Sequence, residues 1–214
     1  MALFEQVREL VGKKLGDAGG CHDLDHTLRV LANAETLLRA LPEADAQVVR
    51  LGALLHDYAR PEEDASRGEL DHAAMGAQLA QSLLLELGAM PQLAEQVASA
   101  VRRHRYRGAE IPQTLEEKIL YDADKLDSLG AVGVARALLF AGRTGARLHN
   151  SAAEALAGEP YGREDTAYRE YLVKLRKLPE KMQTDPGREI AGQRANVMAD
   201  FFAALDREIF PGQD

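Results

Sequence analysis

Cysteine is nearly absent. The single Cys21 in 214 residues rules out an internal disulfide, which is compatible with a reducing compartment. Tryptophan is missing and aromatics make up only 5% of the chain. Alanine and leucine dominate instead, a composition that favours helices over sheets. No run of about 18 apolar residues occurs, which excludes a membrane-spanning helix. Cations are in short supply: 26 Lys+Arg against 34 Asp+Glu leave a formal charge of −8. A nucleic-acid polymer or an anionic membrane is bound by a cationic surface, so neither is expected as a partner. A local basic pocket remains compatible with that total. Also lacking are a GxxxxGK phosphate loop, a Gly-x-Ser-x-Gly elbow, a strand with convincing alternation, a repeat and a low-complexity tract. The first residues, Met1-Ala-Leu-Phe-Glu-Gln-Val-Arg, are amphipathic and carry an acid early, unlike a signal peptide. A cytoplasmic location is the expectation.

What the chain does have is helical periodicity nearly throughout. Residues 2–16 place Phe4, Val7, Leu10, Val11 and Leu15 on one face and stop near Gly16 and Gly19-Gly20. A second helix opens at Asp23 or Asp25, either able to cap it, and ends before Pro42. A third covers residues 43–58, and others fit 72–87, 92–105, 114–121, 123–142, 164–178 and 187–209. Ala59 to Asp71, with Pro61 and Gly68, reads as a loop, and residues 143–162 read as loose. Hydrophobic content of 46% over this length is enough for one substantial core. The expected fold is all-α: a single helical-bundle domain over residues 1–214, with its core at about 20–142 and C-terminal helices at 163–210 packed back on it.

Along these helices lie His26, the dipeptide His56-Asp57, and Asp124 within Asp122-Ala-Asp-Lys-Leu. Two imidazoles and two carboxylates make a mixed nitrogen and oxygen set that suits a divalent metal ion. The dipeptide closes the apolar run Leu51-Gly-Ala-Leu-Leu-His-Asp. An ionised carboxylate placed there costs free energy unless a cation or hydrogen-bond donors meet it. Adjacent side chains on a helix project about 100° apart, yet both can converge on an ion lying between them. Asp122 and Asp124 point to nearly opposite sides, so only one of the two is expected to ligate.

The order His, His-Asp, Asp, in the contexts His22-Asp-Leu-Asp-His26-Thr-Leu-Arg-Val, Ala53-Leu-Leu-His-Asp57 and Asp122-Ala-Asp-Lys-Leu-Asp-Ser-Leu-Gly130, resembles the HD superfamily of metal-dependent phosphohydrolases. Met182-Gln-Thr-Asp-Pro-Gly-Arg188, followed by Ile190-Ala191 and Arg194, resembles its small stand-alone bacterial subgroup, so the likeness spans roughly residues 20–210. The resemblance implies one divalent ion (Mn favoured, with Mg, Co, Ni, Fe and Zn compatible) held by His26, His56, Asp57 and Asp124. It implies a nucleotide or related phosphoester as substrate, attacked by metal-activated water. Nucleoside triphosphate pyrophosphohydrolysis comes first and phosphomonoester hydrolysis second. A di-iron oxygenase and a non-catalytic nucleotide-sensing module are the alternatives.

Asp71-His72-Ala-Ala-Met-Gly-Ala and Val101-Arg-Arg-His104 resemble the segments that supply further histidines to two-metal members. Those members pair two histidines at the second segment, whereas here residue 105 is Arg. A single ion is therefore expected, with His72 and His104 as phosphate contacts alongside Arg29, Arg60 and Arg105. Arg102, Arg103 and Arg107 add positive density, which reads equally as a solvated helix face. Lys125 follows Asp124 and is expected to neutralise the transferred group. An acid, either Asp127 or one of Glu62, Glu63 and Asp64 with Glu63 preferred, is expected to orient the water. Cys21, His22 and His149 read as structural.

Overall fold

The computed structural model describes residues 2–16, 23–66, 70–105 and 110–212. Cys21, His22, Arg107, Gly19, Gly20, Gly68, Gly108 and the side chain of Asp64 lie outside the described residues. Among the described residues the chain is all-α, without a strand. The helices are α1 (Leu3–Leu15), α2 (Leu24–Ala40), α3 (Ala46–Leu55), α4 (Arg60–Ala65), α5 (His72–Glu86), α6 (Pro91–Arg103), α7 (Leu115–Leu126), α8 (Gly130–Arg143), α9 (Ala152–Ala157), α10 (Ala167–Val173) and α11 (Asp185–Ile209), with 3-10 turns at Leu175–Lys177 and Pro179–Lys181. No helix is long and apolar enough to cross a membrane. The backbone forms two units, Met1–Asp124 and Lys125–Asp214.

In the first unit α3 is the central element. Its sequence, Ala-Gln-Val-Val-Arg-Leu-Gly-Ala-Leu-Leu, is apolar almost all round, and seven of its residues are buried. Val48, Leu51, Leu54 and Leu55 pack with Val7, Val11 and Leu15 of α1, Ala77, Ala80 and Leu84 of α5, and Ala94, Val97 and Val101 of α6. Small residues on α5 and α6 let those helices lie close together. A Cβ at Gly52 would come within 3.0 Å of Leu120 Cδ2, so a larger residue there would press on the leucine of α7. α2 buries Val30, Ala34 and Leu37 and carries Asn33, whose Nδ2 donates to the Ala123 carbonyl of α7 at 2.9 Å.

Three aspartates set helix starts. Asp23 accepts from His26 N at 2.9 Å, Asp45 from Gln47 N at 2.8 Å and Asp71 from Ala73 N at 2.9 Å. Each removes an orphan N–H from a first turn, worth about 1 kcal/mol relative to alanine.

The second unit packs α8, α10 and α11. Phe202 of α11 stacks on Tyr171 with ring centroids 4.7 Å apart and meets Tyr168 at 5.6 Å. Gly130 opens α8 at φ 71°, a left-handed conformation that a side chain resists, and a Cβ there would sit 3.2 Å from Arg194 Cβ. Arg194 Nη1 donates to the Leu126 carbonyl at 2.6 Å, and Arg136 Nη1 donates to Asp127 Oδ2 at 2.7 Å.

Four local expectations differ from the structure. The third helix stops at Leu55, and residues 56–59 form a turn closed by Tyr58 N to Leu55 O and Arg60 N to Asp57 O. Residues 59–71 contain α4, which has no apolar stripe to announce it; Pro61 falls in its first turn, where its missing N–H costs nothing. Residues 143–162 contain α9, held by a reciprocal capping box between Ser151 and Glu154. The expected break at residue 122 is also absent: α7 runs to Leu126, and the chain turns at 127–129.

Candidate metal centre

Four histidines stand at four helix ends: His26 in the first turn of α2, His56 just past α3, His72 at the start of α5 and His104 just past α6. Helix ends leave backbone groups without intrahelical partners. At the two C-terminal ends the histidines themselves satisfy such groups. His56 Nδ1 donates to Ala53 O at 2.8 Å, and His104 Nδ1 donates to Val101 O at 2.5 Å. A neutral ring that donates from Nδ1 presents a bare lone pair at Nε2. Burial, the largest influence, lowers the proton affinity of both rings; Asp57 and Asp124 oppose it, and His104 ends well below the ordinary imidazole range. Neutral Nε2 lone pairs aimed into a dry space are what a metal requires.

His26, His56 and Asp57 form one group. His26 Nε2 lies 3.2 Å from His56 Nε2 and 3.5 Å from Asp57 Oδ2, and His56 Nε2 lies 3.6 Å from the same oxygen. An ion equidistant from three atoms so spaced would sit about 2 Å from each, the length of a metal–nitrogen or metal–oxygen bond. Asp124 Oδ1 stands 3.5 Å from His26 Nε2. The rings of His26 and His56 are fully buried, and Asp57 is 1% exposed. Of the four residues the sequence singled out as ligands, the structure brings His26, His56 and Asp57 into one group and sets Asp124 against His26. One detail differs from the helical argument. Asp57 is in a turn, not on a helix, and the turn lets its carboxylate fold back beside His56.

The carboxylate of Asp57 also serves a second group. Its Oδ1 lies 3.4 Å from His72 Nε2 and 3.8 Å from His104 Nε2, and those two nitrogens are 3.3 Å apart. Asp57, His72 and His104 could hold an ion among themselves, as could His26, His56 and Asp57. The arginine at position 105 does not prevent this, because His104 meets His72 directly.

Around the second group runs a charged lattice. Arg60 donates from Nη2 to Asp57 Oδ1 at 3.2 Å and to His72 Nε2 at 3.3 Å, and from Nη1 to Glu63. Glu63 Oε2 is 2.9 Å from His72 Nδ1, and Glu63 Oε1 is 3.3 Å from Arg105, which also reaches Asp71 at 3.1 Å. Burial alone would raise the Glu63 proton affinity. The approach of His72 and the guanidinium charges of Arg60 and Arg105 outweigh it and hold the carboxyl below its usual range. Glu62 turns elsewhere, to Lys14 Nζ at 2.6 Å. Arg103 is engaged by Glu117 at 3.1 Å.

The remaining residues of the expected set are placed as follows. Arg29 is half-buried on α2, one turn beyond His26. Lys125, the residue after Asp124, is buried, and Asp127 is bonded to Arg136 within the second unit. His149 is buried in that unit too, with Nε2 3.0 Å from Asp206 Oδ1. Sequence reasoning missed Asn33, whose bond to Ala123 O ties the turn of α7 carrying Asp124 to α2. Its only sequence signal is a spacing of two helical turns from His26, which is not diagnostic.

Comparison with known proteins sets this geometry among relatives. The family model described as HD domain matches residues 23–129. YpgQ of Bacillus subtilis is 33% identical over 214 residues, covering 98% of this chain and 95% of that protein. A crystal structure of YpgQ in complex with ADP aligns with a TM-score of 0.75 at 28% identity, over 98% of this chain and 96% of that one. A predicted HD superfamily hydrolase from an uncultured Thermotogales bacterium aligns with a TM-score of 0.67 at 28% identity, over 96% of this chain and 92% of that one.

Proposed function

Because the chain belongs to the HD domain family, we propose that it is a metal-dependent phosphohydrolase acting on nucleotides, with His26, His56, Asp57 and Asp124 as ligands of one divalent ion, manganese before Mg, Co, Ni, Fe or Zn. One observation carries the reading: His26 Nε2, His56 Nε2 and Asp57 Oδ2 lie within 3.6 Å of one another in a buried space, with Asp124 Oδ1 3.5 Å from His26. The nucleotide part is supported by the similarity to YpgQ, which binds ADP in its crystal structure.

A divalent ion bound there would polarise a phosphoryl oxygen and lower the pKa of water toward neutrality. The chain's own residues do the rest. The Ala53 carbonyl at the end of α3 holds the Nδ1–H of His56, so its Nε2 faces the site. Arg29 and Lys125 neutralise charge on the phosphoryl group. Glu63 positions Arg60, Arg105 and His72 rather than serving as a free base, since each of its oxygens already meets a cationic donor. Asp127 holds Arg136 and braces the turn after α7, next to Asp124 and Lys125. Release of pyrophosphate from a nucleoside triphosphate is the first reading, and phosphomonoester hydrolysis the second.

The group Asp57, His72 and His104 favours one rival, a di-iron oxygenase. A metal-by-substrate matrix tests both. Protein loaded separately with each ion is offered nucleoside mono-, di- and triphosphates, pyrophosphate compounds and simple phosphoesters, and phosphate and pyrophosphate are measured. Metal-dependent release that Asp124→Ala abolishes in a folded protein is the expected result. Full activity in Asp124→Ala with metal still bound refutes the assignment. Two irons per chain with oxygen uptake favour the oxygenase, and tight nucleotide binding without turnover favours a sensing module.

A further inference from the structure

The second ligand group raises the question of what its charge partner is. We infer that the guanidinium of Arg60 stands in place of a second metal ion, closing the group Asp57, His72 and His104 to a cation, so that the chain takes one ion where its ligand atoms could accept two. This deepens the one-ion reading above, but it rests on different residues.

The three inward atoms are all acceptors. His104 spends its Nδ1–H on Val101 O at 2.5 Å, and His72 turns Nδ1 to Glu63 Oε2 at 2.9 Å. Both therefore direct Nε2 inward, toward each other at 3.3 Å and toward Asp57 Oδ1 at 3.8 and 3.4 Å. The carbonyl behind His104 is the kind of support that orients an imidazole as a metal ligand, and Glu63 stands beside the outer nitrogen of His72. Each of the three residues is no more than 2% exposed, so bulk water does not screen their convergence. Such a knot of lone pairs needs a positive partner.

Arg60 is that partner. Its Nη2 lies 3.2 Å from Asp57 Oδ1 and 3.3 Å from His72 Nε2, two of the three atoms that an ion would use. An ion bonded to those same atoms at about 2 Å would face a guanidinium nitrogen at near-contact range, like charge against like charge in a poorly screened space. Arginine cannot relieve this by losing its proton. Nor does it swing away freely: Nη1 is bonded to Glu63, and Glu63 is gripped in turn by His72 and Arg105. Asp57 completes the arrangement by dividing its oxygens, Oδ2 to the His26–His56 side and Oδ1 to the Arg60 side.

Counting metal tests the inference without reference to turnover. Wild type, Arg60→Met, Arg60→Lys, Arg60→Met/His72→Ala and Asp124→Ala are stripped with chelator, reloaded with excess Mn(II), desalted and assayed for manganese per chain. Helix content by circular dichroism confirms folding, and Arg60→Gln, which keeps a polar group for Glu63, carries the same expectation if Arg60→Met does not fold. The expected result is a gain of one manganese per chain in the neutral variant over wild type. His72→Ala should remove that gain and Arg60→Lys should not show it. The two ions would share one carboxylate at about 3.5–4 Å, so the neutral variant should also show an exchange-broadened Mn(II) resonance. No gain in either neutral variant, or a wild-type protein that already holds two ions and loses one with His72→Ala, overturns the inference. Failure of the first-ion reading looks different: Asp124→Ala then leaves the manganese content unchanged, while the gain on neutralising Arg60 is still read independently.

Discussion

The Nε2 atoms of His26 and His56 stand 3.2 Å apart in a fully buried setting. Because His56 commits its Nδ1–H to Ala53 O, its Nε2 is a bare lone pair, and the close approach of another ring nitrogen is favourable only with a proton or a cation between them. Asp57 and Asp124, each 3.5 Å from His26 Nε2, add negative charge to the same point.

Metal should therefore stabilise the fold. A ligand that binds only the folded state adds about 2.7 kcal/mol at a concentration 100 times its Kd. Manganese is expected to raise the melting temperature of chelator-stripped protein, and Asp124→Ala should abolish most of that rise. Thermal melts with and without manganese check this, and an equal rise in both proteins would detach Asp124 from the ion.

Asn33 offers a test of positioning. Its Nδ2 donates to Ala123 O at 2.9 Å, 90 residues away in the chain and immediately before Asp124. Asn33→Ala should cost about 1–3 kcal/mol of stability by leaving a buried carbonyl short of a donor. Because the fixed position of Asp124 goes with that bond, the apparent Kd for manganese should rise as well. Urea unfolding and a manganese titration check the two effects, and unchanged metal affinity in a destabilised protein would reduce Asn33 to a packing role.

Glu117 predicts the acid limb of the stability curve. It accepts from Ser99 Oγ at 2.6 Å, from the backbone N of Gln113 at 2.6 Å and of Thr114 at 3.3 Å, and pairs with Arg103 at 3.1 Å. Burial pushes its proton affinity up, but those bonds and the arginine outweigh it, and the carboxyl is held below the ordinary value of 4.5. A carboxyl whose folded value is depressed binds protons more readily when unfolded. Its contribution is therefore present above pH 4.5 and lost as pH falls through the folded value. Glu117→Gln should cost about 1–2 kcal/mol at neutral pH, with the gap to wild type narrowing on acidification below that point. Urea unfolding at neutral pH and near pH 3 measures the gap. A gap of constant size would show that the charge of Glu117 contributes nothing.

Much of the site was legible in the chain because its determinants are local or ordered. The cap of α2 was narrowed in the sequence to Asp23 or Asp25, and Asp23 sets His26 into a first turn. The order of His26, His56-Asp57 and Asp124, with their flanking apolar residues, singled out candidate ligands before any distance was known. The helix α4 was illegible, since four charged residues with a proline and an alanine carry no apolar period. The second histidine group was obscured for another reason. Judged along the chain, Arg105 in place of a histidine argued against it, but His104 finds its neighbour in His72, 32 residues distant.

By itself the sequence determined that the chain is helical, where most helices begin, and which side chains are candidates to hold an ion, because hydrophobic period and capping act over three or four residues. Only the tertiary structure decided that Nε2 atoms 30 and 32 residues apart would meet at 3.2 and 3.3 Å. It alone divided the oxygens of Asp57 between two groups and set the guanidinium of Arg60 against one of them. Those outcomes depend on how close α3 lies to α2, α5 and α6, and that closeness is set by the packing of small and branched side chains from distant segments, which no local pattern encodes.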